Sequence, residues 1–193
     1  MVRDYGFAPN PFHGYCTLAT CKPQIRRTAQ LGDYVLGIGS VAQGRGGHLV
    51  YCMQVEETLT FEDYWADNRF EEKRPLLEGS RKQQYGDNIY WRTEGEHWIQ
   101  ADSHHSLPDG SPNPENLRSD TSVNRVLISS RFAYWGGTGP QLPSQFRDWE
   151  GVDLANGGRG YRCKFPQDLV AGFIQWIEPI LSEGRLGRPR DWH

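Results

Sequence analysis

Lysine is scarce in this chain, long apolar runs are missing, and there is no surplus of positive charge. Each absence argues against a class of function. No stretch approaches the roughly 20 apolar residues that span a bilayer, and the mean hydropathy is −0.70, so no membrane partner is expected. No apolar core follows Met1-Val2-Arg3-Asp4, which argues against export and for a cytoplasmic protein. Four cysteines (Cys16, Cys21, Cys52, Cys163) in a chain of 193 residues read as reduced intracellular thiols. Lys plus Arg is 21 against 24 for Asp plus Glu, which disfavours a general binder of phosphate backbones.

Apolar residues at 37% and aromatics at 12% suit a soluble globular protein and speak against disorder. The length predicts one domain over 1–193, with its core at about 5–181 and a polar tail at 185–193. Of the 21 basic residues only Lys22, Lys73, Lys82 and Lys164 are lysines. The rest are arginines, whose planar fork suits phosphates, base edges and aromatic faces. Coding bias explains the same imbalance.

Alternation and turn chemistry place short strands at 15–19, 34–38 and 48–58, then at 88–91 and 98–100 as a hairpin, at 123–129 and at 160–165. Pro9-Asn10-Pro11 forbids a helix, and a short helical turn follows Lys22-Pro23. Thr60 with Asp63 three residues on resembles a capping box, opening a helix with Phe61, Tyr64 and Trp65 on one face. Residues 69–86 read as a charged surface excursion, and 102–121, with Pro108, Pro112 and Pro114, as an irregular loop. A C-terminal helix after Pro166 carries Leu169, Phe173, Trp176, Ile177 and Ile180 at helical spacing, ends at Gly184 and covers a sheet. The expected class is α+β: a mixed or antiparallel β-barrel or strongly curved sheet with few helices.

Metal ligation is weakly signalled. His13, Cys16 and Cys21 lack a tight C-x2-C knuckle, while Cys52 and Cys163 sit in apolar strand patterns and read as buried free thiols. No metal and no organic cofactor is expected. Cys16 beside His13 is a candidate thiolate pair, and His104-His105 offers a base or a solvated loop pair. Asp67, Asp87 and Asp120 flank aromatic clusters as candidate general bases or ordinary turn caps. The glycine-rich Gly37-Ile38-Gly39-Ser40 and Gly44-Arg45-Gly46-Gly47 match no nucleotide fingerprint.

The strongest chemical signal is aromatic residues beside amides and arginines. A planar base is held between rings, its edge read by Asp or Asn, with Arg on a phosphate. Tyr64, Trp65, Tyr90, Trp91, Tyr134 and Trp135 are the stacking candidates, Asp67, Asp87, Asn88 and Asn124 the edge readers, and Arg26, Arg69 and Arg131 the phosphate ligands. Trp135, followed by Gly136-Gly137, is the tryptophan least expected in a core. The competing reading makes these aromatics core.

Pro9-Asn10-Pro11-Phe12-His13-Gly14 through Lys22-Pro23, Gly32-Asp33-Tyr34-Val35, Tyr85-Gly86-Asp87-Asn88-Ile89-Tyr90, and Arg131-Phe132-Ala133-Tyr134-Trp135-Gly136-Gly137 resemble the nucleotide modification associated domain 2 family of bacteria and phages, over roughly 5–180. That resemblance implies a link to DNA base modification without implying a catalytic set. The Gly32-to-Ser40 string is similar to the start of PUA-like barrels (the EVE and ASCH groups), many of which grip modified or flipped bases. The function expected is binding of a nucleotide or a modified or flipped base. The alternative is an enzyme acting in the same cleft, with Asp67 or Asp87 as base or Cys16 as nucleophile beside His13. A structural protein with core aromatics is the third reading, and oligomeric state is left open.

Overall fold

The computed structural model describes residues 1–93, 97–155 and 160–192. The fold is mixed α+β, with short strands in three sheets and few helices. β1 (Cys16–Leu18), β7 (Val126–Ser129) and β4 (Glu57–Leu59) form one antiparallel sheet in the order β1-β7-β4. β2 (Tyr34–Ile38), β3 (Leu49–Gln54), β8 (Phe132–Tyr134) and β9 (Gly184–Arg185) form the second, with β9 parallel to β8. β5 (Tyr90–Arg92) and β6 (Trp98–Gln100) pair alone; part of the turn expected between them lies outside the described residues. Among the described residues these sheets do not close into a barrel, so the barrel expectation is corrected.

The reason lies partly at residues 55 and 56. The sequence pattern predicts one strand over 48–58, but the chain leaves the second sheet after β3 and enters the first as β4. Val55 donates to the Asp33 carbonyl and accepts from Gly32, whereas Glu56 donates to the Ile128 carbonyl in the first sheet. The Glu56 carboxylate then takes the backbone N–H groups of Ser130 and Arg131 at 2.6 and 3.0 Å, pinning the β7–β8 turn. A strand that changes sheets makes a corner between layers.

β3 is sandwiched. Leu49 and Cys52 pack into a cluster with Phe146, Phe173 and Ile177, while Val50 and Met53 join Leu18, Val35 and Leu127. The long helix α5 (Gln167–Leu181) lies against β3 and β8 and buries Leu169, Phe173, Ile177 and Leu181. Each such side chain stabilises the fold by about 1.5–3 kcal/mol. Helices α1 (Pro23–Thr28), α2 (Phe61–Ala66) and α3 (Arg81–Gln84) are short. The Thr60 hydroxyl caps α2 by accepting from the Asp63 N–H at 3.1 Å.

Other expectations are corrected. The loop at 102–121 contains α4 (Pro114–Thr121), because Asn113 accepts from the N–H groups of Glu115 and Asn116 and Pro114 occupies the first turn. The excursion at 69–86 carries Phe70 and Lys73 into the interior at 0% exposure. Residues 160–165 form no strand, and Cys163 is exposed. The tail folds back: Leu186 donates to the Tyr134 carbonyl, Asp191 to that of Asp4, and the Trp192 indole to that of Tyr5 at 2.7 Å. Trp135 is buried, and the glycines around it make room for the chain itself. A Cβ on Gly136 would lie 2.0 Å from the Arg188 carbonyl oxygen, and one on Gly139 would lie 1.6 Å from that of Leu49.

Candidate functional site

The residues singled out in the sequence divide among several places. Trp65 and Trp91 do meet, but they stack on each other at 3.8 Å, and the Arg74 guanidinium covers Trp65 at 4.4 Å. Tyr64, Tyr90 and Tyr134 are fully buried and donate their hydroxyls to Asp87, Asp120 and Asp4. Asn88 donates to the carbonyls of Tyr64 and Phe70. Asn124 accepts from the first N–H of α2 at 2.8 Å. Asp67 and Glu57 together clasp Arg69, and Arg131 lies between Gln54 and Glu178.

His13 and Cys16 do not pair: the His13 Nδ1 faces Glu72 at 3.4 Å, and Cys16 is enclosed at 0% exposure. Burial pushes the Cys16 thiol up to about 12, so it stays protonated at neutral pH. Asp87 is also fully enclosed. It accepts from Thr17 at 2.7 Å and from Tyr64 at 2.8 Å, and burial lifts it to about 6 against the pull of the Lys73 charge. Lys73 bonds the Asn10 and Tyr15 carbonyls, and burial brings it down to about 8. This polar knot ties β1, α2 and the 70s segment together without reaching solvent.

A different constellation forms where three distant segments converge. The His105 Nδ1 lies 2.8 Å from the Asp120 carboxylate, and its Nε2 lies 3.6 Å from the Cys21 Sγ. The Asp120 side chain is 2% exposed and that of His105 is 13% exposed, whereas Cys21 as a residue is half-buried. Burial alone would lower the His105 imidazolium. The hydrogen bonds to Asp120 and Cys21, with their charges, overcome it and hold the group up at about 9.

One buried arginine sets this geometry. Arg26, at 0% exposure, donates to the carbonyls of Cys21, Val123, Arg125 and Asp120 at 3.0, 2.6, 2.8 and 2.5 Å. The guanidinium expected to meet a phosphate is thus committed to the chain itself. It clamps the Cys21 turn against the end of α4. The Asp120 carboxylate closes the clamp by accepting the Cys21 N–H at 2.7 Å. Cys21 and Lys22 are held at φ of 56° and 44°, a left-handed conformation that costs a non-glycine residue about 1–3 kcal/mol.

Sulfur, imidazole and carboxylate atoms all lie within 4.8 Å of one another, so a metal must be considered. The carboxylate is already committed to the Cys21 N–H, the Tyr90 hydroxyl and the His105 Nδ1. It also contacts the imidazole on the nitrogen facing away from sulfur. That order, carboxylate then imidazole then thiol, is a relay more than a set of ligands.

An aromatic shelf adjoins the relay. Tyr5 and Tyr85 stack at 5.1 Å and 10°, and Tyr85 is near-parallel to Trp192 at 6.4 Å and 20°. The exposed His104 ring leans on Tyr5 at 4.8 Å and on Tyr85 at 5.1 Å. Phe7 joins shelf to relay, touching His104 at 5.3 Å and His105 at 4.6 Å. The sequence presents Cys21, the histidine pair and Asp120 singly. Cys21 lies 84 residues from His105 and 99 from Asp120, so no local spacing reveals their meeting.

Fold and site together define a mixed α+β domain with a thiol–imidazole–carboxylate relay beside stacked rings. Among the described residues no helix is long and apolar enough to cross a membrane. The family model for nucleotide modification associated domain 2 matches residues 1–193, and the chain belongs to that family. No significant similarity to a curated protein or to a solved structure was found. The link to PUA-like domains therefore has no support beyond the short string that suggested it.

Proposed function

We propose that the protein binds a nucleotide or a nucleobase, modified or flipped bases included, against the shelf of Tyr5, Tyr85, His104 and Trp192. The observation that carries this reading is the set of near-parallel, half-buried rings whose His104 lies against His105, the imidazole beside the Cys21 sulfur. Ring faces hold bases by stacking, and one such contact contributes about 1–3 kcal/mol. The family's association with nucleotide modification supports the ligand class. The net charge of −3 favours a single base or nucleotide over a long backbone track. Free thiols fit work in a reducing, cytoplasmic setting.

The test is equilibrium binding, by calorimetry and thermal shift, of mononucleotides and of short DNAs with plain or modified bases. A ligand at 100 times its Kd stabilises the fold by about 2.7 kcal/mol. Trp192→Ala and Tyr85→Ala are each expected to weaken binding by about 5- to 150-fold. Binding unchanged in both variants, or no binding across the panel, refutes the assignment.

A further inference from the structure

We propose that Cys21, His105 and Asp120 form a nucleophilic triad that cleaves an acyl bond, amide or ester, on a nucleotide held by the neighbouring shelf. The substrate class rests on the binding reading above; the triad itself does not. Three observations converge on it. The His105 Nε2 lies beside sulfur while its Nδ1 is bonded to a carboxylate 2% exposed. That bond fixes the ring's tautomer and orientation. The nucleophile sits on a strained left-handed turn, and such strain is retained where the surrounding structure imposes it. Arg26 imposes it here, by bonding the carbonyls of both Cys21 and Asp120.

Geometry also selects the reaction. A proton donor beside sulfur serves a group leaving the carbon that sulfur attacks, which is the demand of acyl transfer. The Cys21 thiolate forms a C–S bond to the carbonyl carbon, and the C=O π pair moves to oxygen. Collapse of the tetrahedral adduct breaks the C–N or C–O bond, and the leaving amine or alcohol takes the proton from the His105 Nε2. Water then attacks the thioester and gives a proton to the neutral imidazole. Collapse returns the electron pair to sulfur and releases the acid. Acyl compound plus water gives acid plus amine or alcohol, with no redox change. Cys21 and His105 are the catalytic residues, and Asp120 is a positioning residue.

The experiment uses the full chain and p-nitrophenyl acetate as a small activated ester. Stopped-flow absorbance follows p-nitrophenolate release, and peptide mass spectrometry locates the acetyl group. Acetylation at Cys21 is expected in the wild type and in Cys163→Ser, which removes the exposed thiol. Cys21→Ser is expected to lose the adduct, and His105→Gln to slow acylation by about 10²–10⁴-fold. In Asp120→Asn the basic limb of the pH–rate profile is expected to move towards the ordinary histidine value, which a packing defect does not produce, and Asp120→Glu should recover part of the rate. Should a variant fail to fold, iodoacetamide labelling of the native wild type decides, because a nucleophile open to substrate should be modified while the enclosed Cys16 and Cys52 are spared, and a Cys21 that stays unlabelled overturns the triad. Acetylation confined to Cys163, wild-type rates in His105→Gln, or one tightly held zinc ion per chain with Cys21 silent overturns the triad. Protection by nucleoside monophosphates in the wild type and its loss in Trp192→Ala support the substrate class. Acetylation of Cys21 that no nucleotide slows leaves the triad standing and refutes the nucleotide part.

Discussion

Replacing His105 with glutamine should change how stability depends on pH, and the structure sets the size and sign. Contacts with Asp120 and Cys21 hold the folded imidazolium at about 9, against an ordinary value of 6.5. At about 1.4 kcal/mol per pH unit the gap is worth about 3 kcal/mol. The folded pKa is the raised one, so this stability is complete below 6.5 and is lost as pH rises through about 9. Arg26, Tyr90 and His104 surround the pair, but none of them needs to titrate for this loss. Lys73 works the other way, because its folded pKa of about 8 lies below 10.5 and stability rises between those values. Asp87, lifted to about 6, loses stability as pH rises from 3.8 to that value, below the window. Both groups are common to wild type and His105→Gln and cancel in the difference. Urea unfolding of the two proteins at pH 6 and pH 9.5 should show the stability difference shrinking by about 3 kcal/mol. A difference that stays constant over that range refutes the charged relay.

Other outcomes follow from particular contacts. Arg26→Met removes the guanidinium shared by the Cys21, Asp120, Val123 and Arg125 carbonyls, of which that of Val123 keeps the Arg125 N–H, and should cost about 3–5 kcal/mol, read by denaturant unfolding. Gly139→Ala forces a Cβ to within 1.6 Å of the Leu49 carbonyl oxygen and should destabilise by about 1–3 kcal/mol, lowering the melting temperature. Tyr64→Phe strands one oxygen of the enclosed Asp87 carboxylate and should cost about 1–3 kcal/mol in the same unfolding assay. Alkylation of the native protein, mapped by mass spectrometry, should reach Cys21 and Cys163 while sparing Cys16 and Cys52 until the protein unfolds.

The relay and the shelf draw on segments that otherwise serve different parts of the fold. Cys21 ends the excursion after β1, His105 sits in the loop before α4, and Asp120 belongs to the last turn of that helix. Trp192 arrives on the returning tail, where its indole donates to the Tyr5 carbonyl. Ligand on the shelf would therefore bridge the N-terminal segment, the Tyr85 turn and the tail, so its binding should stabilise their contacts beyond the local stacking.

Local chemistry was enough for several elements. Leu169, Phe173 and Ile177 at helical spacing specify α5, the Thr60 hydroxyl specifies the start of α2, and the apolar run in 123–129 specifies β7. These signals act between residues a few positions apart, where period and capping are physical causes. Membership of the family was likewise legible in strings such as Tyr85-Gly86-Asp87-Asn88. Pro114 misled, because the same residue that interrupts a helix interior also opens one when Asn113 caps it.

What lay beyond local chemistry was decided by packing between distant segments. Whether an aromatic residue stacks on a ligand or fills a core depends on what covers it: Tyr64 and Trp135 are buried by the protein, while Tyr5 and Tyr85 are only half-buried. The polar tail became structure because backbone groups near Tyr134 and Asp4 had partners to offer it. Cys21, ordinary in its own neighbourhood, acquired an imidazole and a carboxylate only when Arg26 drew the carbonyls of Cys21 and Asp120 onto one guanidinium. Three side chains up to 99 residues apart share no periodicity, so their chemistry exists only once the chain has closed on itself.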